Sequence, residues 1–63
     1  MIALKRLPEI RKIRIAMNWS QIELARELGV SQSLISYLEK RIVEVSPELQ
    51  KKIDDLRIKN SLN

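Results

Sequence analysis

The chain has 63 residues, enough for one small domain with a single hydrophobic core. It contains no cysteine and no histidine, which excludes disulfides, thiolate chemistry and the commonest zinc ligands. We expect no export signal, because the sequence begins Met-Ile-Ala-Leu-Lys and has no long apolar run. We therefore expect a cytoplasmic protein with no metal and no cofactor. Residues 1–41 carry the whole net charge of +4, with eight lysines and arginines against four acids. This distribution favours a polyanionic partner, although +4 is also ordinary for a small solvated protein.

A short arm followed by a helix is predicted at the start of the chain. Residues 1–6 form the arm, in which Lys5 and Arg6 either contact phosphates or are free in solvent. The helix is predicted at residues 8–17, because Pro8 suits the first helical position and Asn18 tolerates a left-handed backbone at the end. Its apolar side chains fall on one arc: Leu7, Ile10, Ile13 and Met17.

Residues 21–40 are predicted to form two helices joined by a tight turn. Ser20 can accept a hydrogen bond from the Glu23 N–H while the Glu23 carboxylate reaches back to the Ser20 N–H, which forms a capping box. Gly29 is the only glycine and stands where the chain must reverse, since glycine takes a left-handed backbone without steric cost. Ser31 is the predicted cap of the second helix.

The two helices of this segment have complementary faces. The apolar positions that should pack together are Leu24, Ala25, Leu28, Val30, Ile35 and Leu38. The opposite face of the second helix spans an arc of about 140° and holds polar side chains without an acid: Gln32, Ser33, Ser36, Tyr37 and Lys40. An ordinary solvated helix would usually mix Glu and Lys there, so this face is a candidate binding surface.

The connection at residues 40–46 contains no glycine. We expect the second helix either to continue for a turn or to end with Arg41 in a strained backbone conformation. Ile42 and Val45 are assigned to the core, with an exposed patch that pairs subunits as the alternative. Val43 is left open between these two roles.

A last helix is predicted at residues 47–59. Ser46 is its cap, Pro47 its first residue and Glu48 an acid in its first turn. Leu49, Ile53 and Leu56 share one arc and should close the core. Residues 60–63 are expected to be a flexible tail.

The segment 21–40 resembles the helix-turn-helix of the phage repressor and Cro (Xre-like) family. The matching positions are apolar or small where the motif packs, with a glycine in the turn: Leu24, Ala25, Leu28, Gly29, Val30, Ile35 and Leu38. The resemblance covers about residues 7–40 and extends more weakly beyond. It implies an all-α fold, a compact four-helix lambda-repressor-like domain spanning residues 1–63, in which the second and third helices form the motif.

The resemblance also implies sequence-specific binding of double-stranded DNA, with the recognition helix in the major groove. Gln32 can pair bidentately with adenine, which is worth about 1–3 kcal/mol of discrimination. The expected base contacts are Gln32, Ser33, Tyr37 and, as a weaker candidate, Ser36. The expected phosphate contacts are Gln21, Ser31, Arg26, Lys40 and Arg41.

One charged pair is predicted to be structural. Arg14 falls inside the apolar arc of the first helix and Glu39 lies at the edge of the buried face of the recognition helix. A buried arginine needs a carboxylate partner. The resemblance implies that Arg14 and Glu39 clamp the two helices together, and the alternative is a pair of ordinary surface charges.

Family members bind as two-fold dimers, so we expect a homodimer on a palindromic operator and the function of a phage or mobile-element repressor. Catalysis is not expected, because the adjacent acids Asp54 and Asp55 diverge on a helix. One alternative is a protein-interaction module such as an antirepressor, with Ile22, Leu34 and Tyr37 as its apolar patch. The other is an antitoxin or excisionase-like accessory DNA binder.

Overall fold

A computed structural model describes residues 8–61, which form four α-helices. Their bounds are α1 Glu9–Met17, α2 Gln21–Leu28, α3 Gln32–Glu39 and α4 Pro47–Lys59. The all-α fold with α2 and α3 as the motif is confirmed. The predicted arm lies outside the described residues, as do residues 62 and 63 of the predicted tail, whereas residues 60 and 61 form a turn after α4. No helix within residues 8–61 is long and apolar enough to cross a membrane.

Serine side chains cap the N-terminal ends of three of these helices. Ser20, Ser31 and Ser46 each accept a hydrogen bond from the backbone N–H three residues later, at 3.1, 3.1 and 3.2 Å. The predicted capping box is present, because the Ser20 N–H also donates to Glu23 Oε1 at 2.7 Å. Such a cap contributes about 1 kcal/mol. α1 begins differently, with Pro8 as the residue before the helix rather than its first residue, and without a side-chain cap.

The first three helices end in the same way. Asn18, Gly29 and Arg41 adopt left-handed backbones, with φ of 58°, 73° and 61°. In each case the N–H of this residue and that of the next residue donate to carbonyls of the last helical turn, which satisfies groups that a helix end leaves unpaired. The six bonds are Asn18 to Ile15, Trp19 to Arg14, Gly29 to Arg26, Val30 to Ala25, Arg41 to Leu38 and Ile42 to Tyr37, at 2.8–3.3 Å. Of the two expected geometries for residues 40–46, the chain therefore adopts the strained turn at Arg41.

The core forms where α3 packs against α1 and α2, and α4 against α2. Its ten side chains are at most 6% exposed: Ile10, Ile13, Leu24, Ala25, Leu28, Ile35, Leu38, Leu49, Ile53 and Leu56. Val30, in the corner of the motif, is half-buried against them. Of the first predicted arc, Met17 is half-buried against this core and Leu7 lies outside the described residues. The other predicted arc positions meet in the core.

The assignment of Ile42 and Val45 to the core is wrong. Ile42 is 65% exposed and Val45 39%, and Val43 between them is 37% exposed. The chain leaves the core after Leu38, which is 5% exposed, and returns to it at Leu49, which is 6% exposed, and residues 40–48 between them are all exposed. The intervening residues cross the surface after the turn at Arg41.

Candidate nucleic-acid interface

One side of α3 is open to solvent. Gln32, Ser33 and Tyr37 are exposed, and Tyr37 retains 47% of its accessible surface. Ser36 is half-buried, so it lies at the edge of this surface rather than on it. The inner side of α3 is held by Ile35, which is fully buried. Three of the four side chains predicted to contact bases thus lie on one accessible side of a well-anchored helix, and Ser36 borders it.

A partly buried ion pair joins α1 to α3. Arg14 Nε donates to Glu39 Oε2 at 2.7 Å and Arg14 Nη2 donates to Glu39 Oε1 at 3.2 Å. A third bond runs from Arg14 Nη1 to the Trp19 carbonyl oxygen at 3.2 Å. The Arg14 and Glu39 side chains are 20% and 7% exposed. The structure therefore brings together the two residues that the sequence suggested as a clamp, in a bidentate arrangement that fixes both side chains.

The environment of Glu39 keeps its carboxyl group ionised. Burial raises the pKa of this group, but hydrogen bonds from Arg14 and Gln21, with the charges of Arg14 and Arg11, outweigh burial. The pKa of Glu39 consequently lies below its ordinary value of 4.5. At neutral pH Glu39 is a carboxylate, which accepts hydrogen bonds and donates none.

A chain of side-chain amides runs from this carboxylate to the open side of α3. Gln21 Nε2 donates to Glu39 Oε1 at 3.1 Å, and Gln32 Nε2 donates to Gln21 Oε1 at 3.3 Å. Within residues 8–61 no buried side-chain nitrogen or oxygen lacks a partner. Sequence reasoning missed these two hydrogen bonds. A signal for them was present, because glutamine is the first residue of both α2 and α3 and glutamate is the last residue of α3.

The family model described as helix-turn-helix matches residues 10–56, from the buried face of α1 to that of α4. The chain belongs to the Xre/Cro-type helix-turn-helix family. It is therefore a DNA-binding regulator, and the family is one of binding proteins rather than enzymes. No curated protein and no solved structure matches the chain.

In this helix-turn-helix protein, four of the five residues predicted to contact phosphates border the recognition helix α3. Lys40 and Arg41 are exposed at its C-terminal end. Ser31 is exposed at its N-terminal end, where its hydroxyl already serves as the cap. Gln21 is half-buried and bonded to Gln32.

The fifth predicted phosphate contact lies elsewhere. Arg26 lines an open groove between α2 and α4, together with Lys52 and Lys59. Lys52 Nζ also donates to the Leu28 carbonyl oxygen at 3.5 Å, near the C-terminal end of α2. Arg26 is thus the one residue of the predicted set that the structure does not bring beside α3.

The apolar patch considered for a protein partner is smaller than the sequence suggested. Ile22 is 50% exposed and Tyr37 47%. Leu34, by contrast, is half-buried and packs against the core. Only two of the three side chains are therefore open enough to serve as the centre of such a contact.

Proposed function

We propose that the chain is a transcriptional repressor that recognises its operator by laying α3 in the major groove of DNA. The observation that carries this proposal is the exposed, acid-free side of α3, held against α1 by the Arg14–Glu39 pair. An α-helix fits the major groove, which is about 12 Å wide. The part of the proposal that assigns a phage or mobile-element repressor rests on the family resemblance.

Gln32 is the principal base-recognition residue in this proposal. One of its N–H groups is used by Gln21, which leaves the carbonyl oxygen and the second N–H for DNA. An acceptor beside a donor matches the N6 and N7 edge of adenine. Ser33 can bond to several base edges, and Tyr37 can place its ring on a thymine methyl group or its hydroxyl on a phosphate. Ser36, being half-buried, has the smallest role.

Phosphate contacts around α3 supply affinity without sequence preference. Lys40 and Arg41 provide positive charge at its C-terminal end, and Ser31 and Gln21 provide polar groups at the N-terminal ends of α3 and α2. The positive end of a helix dipole favours an anion at such positions. Arg26, in the groove between α2 and α4, is a more distant contributor. High salt should weaken all of these charge contacts, because they gain free energy from the release of counterions from DNA.

The proposed regulator is a homodimer on DNA. A single short recognition helix covers few base pairs, whereas two related by a two-fold axis read half-sites about one helical turn apart. The contact surface is proposed among Val43, the outer side of α4 and the tail. Exposed apolar side chains support the first two surfaces. Ile42 precedes Val43 in the chain and is also exposed, and Ile58 on α4 is 76% exposed.

Selection of binding sites from a random pool of duplex DNA tests this function. The expected result is a palindrome with half-sites about one turn apart. In mobility-shift titrations Gln32→Ala should lose the preference at one base pair of each half-site. Gln50→Ala is the matched control, because it removes the same side chain from α4. Absence of an enriched sequence, or equal effects of both variants, would overturn the proposal.

A protein-binding module with the same fold is the second candidate, favoured by the exposure of Ile22. Ile22→Ser tests it cleanly because the change leaves the core intact, whereas a substitution of the core-packed Leu34 would also destabilise the fold. This candidate replaces the first if Ile22→Ser abolishes regulation while Gln32→Ala and Lys40→Ala leave it unchanged.

A further inference from the structure

We propose that Glu39 is a positioning residue for base recognition, because its carboxylate fixes the amide orientation of Gln21 and, through Gln21, that of Gln32. The inference rests on the proposed function, in which Gln32 contacts a base. Glu39 is too buried to be the contact itself, since 7% of its side chain is exposed. It acts through two hydrogen bonds, of 3.1 and 3.3 Å, that lead to the surface of α3.

The first step is the direction of the Gln21 amide. A carboxylate offers only acceptors, so the group of Gln21 that faces Glu39 must be its NH2 and not its carbonyl oxygen. Arg14 holds the Glu39 carboxylate through two bonds and leaves Oε1 positioned to accept from Gln21. The orientation of the Gln21 amide therefore follows from chemistry.

The second step carries this direction to Gln32. With its NH2 directed at Glu39, Gln21 turns its carbonyl oxygen toward Gln32. That oxygen requires a donor, so Gln32 presents its own NH2 to Gln21. The carboxylate thereby sets which end of the Gln32 amide is nitrogen and which is oxygen on the open side of α3.

The consequence concerns which purine the helix accepts. In the observed orientation the Gln32 carbonyl oxygen and its remaining N–H meet the donor N6 and the acceptor N7 of adenine. Rotation of the amide by half a turn would exchange them and place like groups opposite each other. Guanine presents two acceptors at this edge, O6 and N7, so the rotated amide would tolerate guanine better than adenine. Guanine leaves one group of the amide mismatched in either orientation, so the orientation matters mainly for adenine. A fixed amide always presents the groups that match adenine, whereas a free amide presents them for only part of the time and prefers adenine over guanine less strongly.

The test compares the affinity for the selected site with that for the same site carrying guanine in place of the adenine read by Gln32. The ratio of the two affinities is independent of the folded fraction, which a purely structural role would change. The wild-type ratio should be about tenfold or more for a bidentate contact. Glu39→Gln removes the acceptor-only group. An amide that then divides its time equally between two orientations matches adenine half of the time, so the ratio should fall about twofold.

Two further variants separate the amide chain from the clamp. Gln21→Met interrupts the chain and leaves the ion pair in place, so the ratio should fall as it does in Glu39→Gln. Arg14→Lys keeps a carboxylate with a cation beside it but loses the two-pronged bond, so stability should fall while the ratio is retained. A ratio that falls in Arg14→Lys, or that survives in Gln21→Met, would overturn the proposal even if Glu39→Gln failed to fold.

A measurement without DNA distinguishes failure of this inference from failure of the proposed function. The side-chain NH2 signals of Gln32 in nitrogen–proton correlation spectra should move in Gln21→Met and in Glu39→Gln, and stay in place in Arg14→Lys. Identical signals in all four proteins would refute the amide chain alone. Wild-type chain that binds no DNA while these signals move as expected would refute the proposed function and, with it, the role of Glu39 in recognition.

Discussion

The Arg14–Glu39 pair should dominate the stability of this domain. Removing one partner of a buried pair lowers the free energy of unfolding by about 3–5 kcal/mol. Because solvent reaches Arg14, we expect the loss here to be about 3 kcal/mol. A domain of this size has a total stability of only about 3–9 kcal/mol. Arg14→Ala should be the more damaging change, because the charge left behind on Glu39 is 7% exposed, whereas Glu39→Ala leaves Arg14 20% exposed and bonded to the Trp19 carbonyl.

Urea denaturation followed by circular dichroism, on both single variants and the double variant, measures the coupling. We expect at least about 1 kcal/mol, as for groups in direct contact. The Arg57–Glu9 pair between α4 and α1 is the internal control, since its side chains are 35% and 42% exposed and its coupling should stay below about 1 kcal/mol. Coupling in the clamp no larger than in this exposed pair would refute the reasoning.

Substitutions at Arg41 and Gly29 have definite expected outcomes. Arg41→Gly should be more stable than Arg41→Ala by about 1 kcal/mol, because both lose the side chain and only glycine relieves the φ of 61°. Gly29→Ala should cost about as much in thermal melts, through backbone strain alone, because no atom lies within 4 Å of an added Cβ. Equal melting temperatures of Arg41→Gly and Arg41→Ala would contradict the first expectation, and equal melting temperatures of Gly29→Ala and the wild type would contradict the second.

The pKa of Glu39 is lower in the folded chain than the ordinary 4.5, so its contribution to stability is complete above about pH 4.5 and disappears as the pH falls through the folded pKa. Denaturation midpoints of Glu39→Gln should consequently vary less with pH below that point than those of the wild type. Finally, Lys40→Ala should weaken binding equally to all duplexes and lower the slope of log affinity against log salt by about one, and sequence-dependent weakening would contradict a phosphate contact.

The sequence was informative wherever structure depends on neighbouring residues. The capping box at Ser20, the left-handed turns at Asn18 and Gly29, and the serine cap of α4 each follow from three or four consecutive residues. The core arcs could be predicted for a related reason, since helical periodicity assigns each apolar residue to a face. Local chemistry was therefore sufficient for the helices and for which of their faces meet.

Two features depend on how separate segments approach one another, and sequence reasoning missed them. The chain from Glu39 through Gln21 to Gln32 requires two helix starts and one helix end to converge. The exposure of Ile42 and Val45 depends on the path that the chain takes between α3 and α4, which hydrophobicity does not reveal. Apolar residues in a connection are not evidence of burial, because much of any protein surface is apolar.

The clamp and the amide chain share one carboxylate, and this suggests why an ion pair occupies a position that apolar side chains could fill. Replacing a buried pair by well-packed apolar residues is often neutral or stabilising. Arg14→Met combined with Glu39→Leu should therefore restore much of the stability lost in the single variants. The double variant would leave the Gln21 amide without its acceptor-only partner, so it should fold well and prefer adenine over guanine about twofold less strongly than the wild type. A double variant that is both stable and fully selective would show that the charge on Glu39 serves the fold alone, because its removal would then have left recognition unchanged.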